Sequence, residues 1–520
     1  MPPADWFLTA EQRGNADTVL DERHPPGEAW SHGNLVSPLI HGATYFAELA
    51  QAVDRLRSGD LLAFADWRGD PDERLTGDPH SEVGRMLCRA AKRGVLVCGL
   101  VWRSHWDRLA FSAAENRHLG VEINEAGGSC LLDMRVRTGG SHHQKFVVLR
   151  HPGRPEFDVA YVGGIDLCHS RRDDADHHGD PQRQPMAAVY GDRPPWHDIQ
   201  LSITGPAVAD VETVFRERWN DQQALSRSPV RALSDRIRAD DRTRAALPAP
   251  LPPPPVTGPH SVQLLRTYAR RFGGYPFAAK GERSVARGYL KALGRARELI
   301  YVEDQYLWSS EVGDRLATAL RANPLLHMIA VLPHHPDQDG RLSLPPNIVG
   351  RRAALAAIRS AAPHRVAVYG IENHAGTPVY VHAKVCVIDD VWASVGSDNF
   401  NRRSWTHDSE LTAAVLDTAR DGDGPAPYAR DLRLALAREH LDGDLESSAA
   451  PAMFDAFARS AARLAQWHDE GRAGARPPGR LRPLADPPMP LPTRLWAEPL
   501  YRVVYDPDAR SVSRRMRGHY

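Results

Sequence analysis

The sequence predicts a mixed α/β fold: two similar α/β/α sandwich domains, related by a pseudo-twofold, with one chemical site at their interface. Three observations carry that expectation. His143-Gln144-Lys145 and His382-Ala383-Lys384 repeat one spacing, and each opens an apolar run, Phe146–Leu149 and Val385–Ile388, that leads on to a small-residue turn, Gly163-Gly164 and Gly396-Ser397. Asp66 precedes His143 by 77 residues and Asp304 precedes His382 by 78. Between the two segments lies a proline-rich stretch, 246–255, and on both sides of it strand and helix patterns alternate in the same order, as in sheets covered on both faces.

In the first half, Tyr45–Leu49 starts an amphipathic helix, Leu61–Trp67 is a strand, a second helix covers about 81–93, and Val95–Trp102 is the next strand. The second half runs alike: a helix through Tyr289–Leu293, a strand Leu299–Tyr306, a helix Val312–Leu320 and a strand Met328–Pro333. Pro427–His440 and Met453–Trp467 read as further helices. The expected division is an N-terminal extension (1–27), a first domain (28–245), a semi-rigid linker (246–257), a second domain (258–445) and a C-terminal helix with an Arg/Pro-rich tail (446–520). The Pro- and Arg-rich turns beyond Gly471, ending in Ser513-Arg514-Arg515-Met516-Arg517, read as a solvated tail.

Composition narrows the function. At 520 residues the chain exceeds one ordinary core. Lys plus Arg equals Asp plus Glu, 65 each, which argues against a polymeric nucleic-acid partner. The cysteines (88, 98, 130, 168, 386) form no Cys-x-x-Cys pair, so neither zinc nor disulfides are indicated; buried free thiols fit a reducing compartment. The first residues lack an apolar signal core, and no apolar run reaches the ~18 residues of a membrane span. A cytoplasmic protein is expected, with any membrane contact peripheral. Asp173, Asp174, Asp176, His177, His178 and Asp180 match no compact ligand spacing and read as a solvated insertion; no metal and no cofactor are expected.

The motifs point to phosphate chemistry. Only five cations are lysine against sixty arginines, yet both motifs keep lysine, a compact point charge. Residues two apart on a strand share a face, so each His and Lys project together. The acidic turn Asp389-Asp390 would fold the chain back so that Ser397 and Asn399 return beside His382 and Lys384. Two such sets make one site. One imidazole attacks phosphorus, the other protonates the leaving oxygen, and the lysines and amide hold the transition-state charge.

This pattern, His-x-Lys-(x)4-Asp-(x)6-Gly-Ser-x-Asn, resembles the signature of the phospholipase D superfamily, over about Gly33 to Leu441. The first half is similar in particular to the eukaryotic-type enzymes, through Gly163-Gly164-Ile165-Asp166-Leu167, Pro195-Trp196-His197-Asp198 and Phe215-Arg216-Glu217-Arg218-Trp219; Glu303-Asp304-Gln305-Tyr306 matches their Glu-Asn-Gln-Tyr strand. The resemblance implies a phosphohistidine on His143 with His382 as acid, although the chemistry also permits the reverse. It implies that Asp198 and Glu410 orient the two rings. Asp389 joins the catalytic set as the motif aspartate, which orders the turn. Gly164, Asp166, Ser397, Asn399, Asp66 and Gln305 are the expected substrate contacts.

The chain also departs from the pattern. Arg150 stands where the first motif would carry its aspartate, with Glu156 or Asp158 near that turn. Asp166 replaces the amide of Asn399, and Ser170-Arg171-Arg172-Asp173 replaces Gly-Arg-Tyr-Asp. Trp67, Trp102, Trp106 and Trp308 follow inner strands and suit either a pocket wall or the core. The expected activity is hydrolysis of a phospholipid headgroup ester, with transfer to other alcohols. A nuclease, a cardiolipin-synthase-like transferase and a scaffold without catalysis are the rivals.

Overall fold

A computed structural model describes residues 2–105, 113–230, 233, 237, 244–417, 427–445, 447, 449–485 and 488–520; Trp106 lies outside the described residues. The strands of the first half are β1 (Ser31–Ile40), β2 (Leu61–Asp66), β3 (Leu96–Trp102), β4 (Ser129–Asp133), β5 (Phe146–Arg150), β6 (Val159–Gly163), β7 (Trp196–His197) and β8 (Ile199–Thr204). Those of the second are β9 (His260–Tyr268), β10 (Glu282–Arg283), β11 (Leu299–Asp304), β12 (His327–Val331), β13 (Val366–Glu372), β14 (Pro378–Val381), β15 (Lys384–Ile388), β16 (Trp392–Gly396), β17 (Glu410–Asp417) and β18 (Leu481–Pro483).

The duplication holds strand for strand. The first sheet runs β1-β8-β6-β5-β2-β3-β4, and the second runs β9-β17-β16-β15-β11-β12-β13. In both, the last three strands are parallel, because helices carry the chain back between them, and the remaining pairings are antiparallel. The sheets meet edge to edge where β1 pairs with β9.

Each sheet is apolar on both faces, so each needs two covers. One core packs the outer helices Gly42–Asp54 and Val83–Lys92 on the first sheet, and a second packs Ser284–Leu293 and Ser310–Ala322 on the other. The largest core is shared. There the inner sheet faces (Ala63, Val148, Val385, Ala413) close on the helices Ala207–Trp219 and Pro427–Leu441. At Gly313, a Cβ would lie 2.8 Å from the Ala354 Cα, so glycine is what lets the helix Leu344–Ala361 approach so closely.

Three expectations are corrected. The N-terminal segment is a structural part of the second half: Trp6, Phe7 and Leu8 are buried against Val285, Tyr289 and Leu293. The C-terminal tail is docked over much of its length, with Ser513, Arg515, Met516 and Arg517 exposed as expected. β18 extends the second sheet along β13, Tyr520 is buried with its hydroxyl on Glu311, and Arg510 pairs with Glu311 and Asp508. The insertion around Asp173, His177 and Asp180 has those three side chains buried, held by its contacts with the second half. The proline-rich stretch lies against the first half, with Arg216 and Arg150 donating to the carbonyls of Pro248 and Pro252.

Candidate active site

The two motifs occupy equivalent ends of the two sheets. Lys384 is the first residue of β15, which pairs with β16, and Lys145 stands just before β5, which pairs with β6. What brings the halves together is a pair of short parallel contacts. β7 lies beside β14 with Tyr380 opposite Trp196 and Val381 opposite His197, so Asp198 follows in register to His382. His142 bridges Ser409 in the same sense, which sets His143 beside Glu410. The carboxylates are therefore exchanged between halves.

The geometry matches the register. His382 Nδ1 lies 2.6 Å from Asp198 Oδ2, and His143 Nδ1 lies 2.9 Å from Glu410 Oε2. With Nδ1 on a carboxylate, each ring directs Nε2 away from it, toward a reacting atom. Glu410 is itself held by the Ser397 hydroxyl, which donates to Oε2 at 2.6 Å. Gly164 makes the other pair possible: a Cβ there would stand 2.3 Å from Asp198 Oδ1.

The lysines stand beside the imidazoles. Lys145 Nζ donates to the His143 carbonyl at 3.0 Å and lies 3.4 Å from Asp166 Oδ1. Lys384 Nζ donates to the His382 carbonyl, lies 2.9 Å from its Nδ1 and reaches Gln305 Oε1 at 3.2 Å. Burial pushes the Lys384 ammonium down to about 8, with Lys145 adding to the effect. Burial, then Lys384 and Arg171, hold His382 well below the usual imidazole range and so neutral. Asp66 and Asp166 share a proton: burial and Asp166 raise Asp66, whereas Lys145 and Arg171 overcome burial to keep Asp166 ionised. In the second half Asp304 takes the place of Asp66, accepting from the backbone N–H groups of Tyr306, Leu307 and Phe400, and burial lifts it to about 6.

The structure thus gathers His143, Lys145, His382, Lys384, Asp198, Glu410, Gly164, Asp166, Ser397, Asp66 and Gln305 around one centre. Asn399 is buried on the turn after β16, with Oδ1 lacking a hydrogen-bond partner among the described residues. Asp389 is elsewhere. It ends β15 at the edge remote from His382, in a left-handed conformation, and accepts the backbone N–H groups of Arg297, Glu298 and Leu299 at 2.7–2.9 Å. Its place in the catalytic set is corrected to that of a turn cap. Asp389→Ala is expected to cost about 1–3 kcal/mol of stability, read as a lower denaturant midpoint, with turnover of the folded protein unchanged. In the first half Asp158 has the corresponding duty, accepting the His151 N–H at 2.6 Å and pairing with Arg150.

Sequence reading passed over two residues of the site. Arg171 is buried, 3.8 Å from Asp166, with its guanidinium 3.9 Å from the Trp196 ring, and Trp196 lies 4.8 Å from the His382 ring. Both fall within segments singled out for their motif likeness, and Arg171 stands where Gly-Arg-Tyr-Asp carries its arginine, a signal that could have found it. Among the tryptophans, Trp67 faces His143 edge-on at 6.2 Å and flanks Lys145, whereas Trp102 and Trp308 are buried.

Fold and site together define the class of duplicated α/β/α proteins that bring one His-x-Lys set from each half to a single centre. A family profile described as "Phospholipase D" matches residues 74–330, and one described as "Cardiolipin synthase, PLD-like domain" matches residues 289–420. The chain belongs to the phospholipase D superfamily. It is 27% identical to phospholipase D alpha 1 of Cynara cardunculus, over 70% of this chain and 59% of that protein. With phospholipase D A of Dictyostelium discoideum it shares 25% identity, over 76% of this chain and 35% of that protein. The chain thus spans less than two thirds of these relatives' length. The solved structure of a phosphatidylserine synthase from Haemophilus influenzae has the same fold, with a TM-score of 0.52 at 13% identity, covering 82% of this chain and 93% of that one.

Proposed function

We propose that this protein is a phospholipase D-type phosphodiesterase that cleaves the headgroup ester of a phospholipid through a covalent phosphohistidine. The observation that carries the reading is the crossed pairing of His143 with Glu410 and His382 with Asp198. Two imidazoles, each held by Nδ1, divide the labour of displacement. The His143 Nε2 lone pair attacks phosphorus, the bond from phosphorus to the headgroup oxygen breaks, and His382 Nε2–H supplies that oxygen's proton. Water then gives its proton to His382 as its oxygen displaces His143; another alcohol in its place gives transfer. Lys145, Lys384 and Arg171 face the charge that develops on the non-bridging oxygens. A bound phosphodiester anion offsets these cations, which lets His382 take up the proton it needs.

A second reading exchanges the histidines, and one observation favours it: burial, Lys384 and Arg171 hold His382 neutral, the state an attacking ring requires. A phospholipid substrate is supported by the relatives' names and by the zero net charge. No helix among the described residues is long and apolar enough to cross a membrane.

Headgroup release from phosphatidylcholine vesicles, run beside hydrolysis of single-stranded DNA, tests the substrate class. Cleavage of DNA alone would replace this reading with the nuclease. The pH profile tests the lysine. A lysine with a lowered pKa loses its charge as pH rises through that value, so kcat/KM is expected to fall about tenfold per unit above roughly pH 8. Lys384→Arg, which keeps its charge, should move that limb upward. A wild-type profile flat to pH 10 rules the assignment out.

A further inference from the structure

Behind the catalytic centre lies a second constellation that the reaction does not use. We propose that His41, His177, His197 and Glu439 form a binding site for a zinc-class divalent metal ion, which locks the strand carrying Asp198 to the second half. His41 follows β1, His177 lies in the insertion, His197 ends β7, and Glu439 comes from the helix Pro427–Leu441. The three histidines are at most 4% exposed. One ligand atom from each of the four residues lies within 4.8 Å of all the others.

The donor set and its spacing suit the ion. His41 Nε2, His177 Nε2 and His197 Nδ1 approach the Glu439 carboxylate at 2.8, 3.0 and 3.2 Å. A tetrahedral centre with bonds of about 2.0–2.1 Å puts neighbouring donors roughly 3.3 Å apart, close to the three nitrogen–carboxylate distances. Three neutral imidazoles and one carboxylate form a common zinc donor type.

The outer contacts match as well. A metal-bound histidine usually gives its other ring nitrogen to a carboxylate. His197 Nε2 lies 2.6 Å from Glu303 Oε2, and His177 Nδ1 lies 3.6 Å from Asp173 Oδ2. Glu303 is in turn held by His440 Nε2 at 2.8 Å and by the Tyr301 hydroxyl at 2.5 Å. Two ligand residues also hold left-handed backbone, His41 at φ 69° with ψ 151° and His177 at φ 54°. Side chains adopt these conformations only where the surroundings impose them.

The consequence for the reaction is positional. The His197 carbonyl accepts the N–H groups of His382 at 2.7 Å and Ala383 at 3.2 Å, and Asp198 is the next residue. A metal on His197 therefore fixes the strand that orients His382.

The test uses the full chain. Metal content of the purified protein is measured by mass spectrometry, and chelator-treated protein is titrated with cobalt(II), whose visible d–d bands report a four-coordinate nitrogen-rich site. Wild type and His143→Ala/His382→Ala should both bind one ion per chain with those bands, whereas His177→Ala and Glu439→Gln should not. Zinc should also raise the unfolding temperature of the chelator-treated wild type but not that of the two ligand variants. Three results overturn the proposal: a wild type that binds no stoichiometric ion, as when protons alone hold the cluster; a His177→Ala variant that binds normally; or loss of the ion on removing the catalytic histidines. Should a ligand variant not fold, the wild type and the catalytic double variant still decide.

Discussion

Alanine at His143 or His382 is expected to lower turnover by about 10²–10⁴ from lost proton transfer alone, and further at whichever ring forms the covalent bond. The folded state should survive at His143, whose ring is partly solvent-facing beside Glu410, so circular dichroism should match wild type. Labelling separates the roles. With phospholipid carrying ³²P, quenched wild type should retain label, and His143→Ala should retain none. Under the exchanged reading, His382→Ala is the unlabelled variant. Normal rates in both variants would remove the site from this pair of rings altogether.

Asp198→Asn and Glu410→Gln carry the second large effect. The amide keeps the shape of the carboxylate but stabilises the wrong ring tautomer, a change worth about 10⁴ in kcat in a serine-protease triad. The crossed geometry makes the two variants fail differently. Glu410 holds His143, so Glu410→Gln should block formation of the phosphoenzyme. Asp198 holds His382, so Asp198→Asn should still be labelled by a substrate whose leaving group needs no proton, such as a p-nitrophenyl ester, and then stall. If instead Asp198→Asn prevents labelling by that substrate while Glu410→Gln permits it, either the pairing is within each half or the two rings exchange roles; the ³²P result with His143→Ala tells which.

Much of this architecture is legible in the chain. The repeated His-x-Lys, the apolar hairpins after it and the matched distances announce two copies of one unit, since side-chain alternation and apolar runs are local properties. They place the strands at 61–66, 96–102, 299–304 and 327–331 within a residue or two of the reading. That Asp389 orders its turn was legible from the acidic pair that ends the apolar run; only its grouping with the catalytic residues failed, because membership of a motif does not mean contact with the reacting atoms. Arg171 was legible as the arginine of the Gly-Arg-Tyr-Asp position, but its contacts were not, because the way the insertion packs is what turns it inward toward Asp166 and Trp196.

By itself the sequence determined the duplicated α/β plan, the pairing of imidazole with ammonium in each copy, and the family of the chain, all of which follow from local pattern. The tertiary structure alone decided that Asp198 serves His382 and Glu410 serves His143. It also decided that residues 41, 177, 197 and 439 meet, and that both termini are structural. Each of these depends on how two sheets pack about their shared core and on the register of β7 against β14. That registry is chosen by the burial of side chains hundreds of residues apart, which no local periodicity encodes.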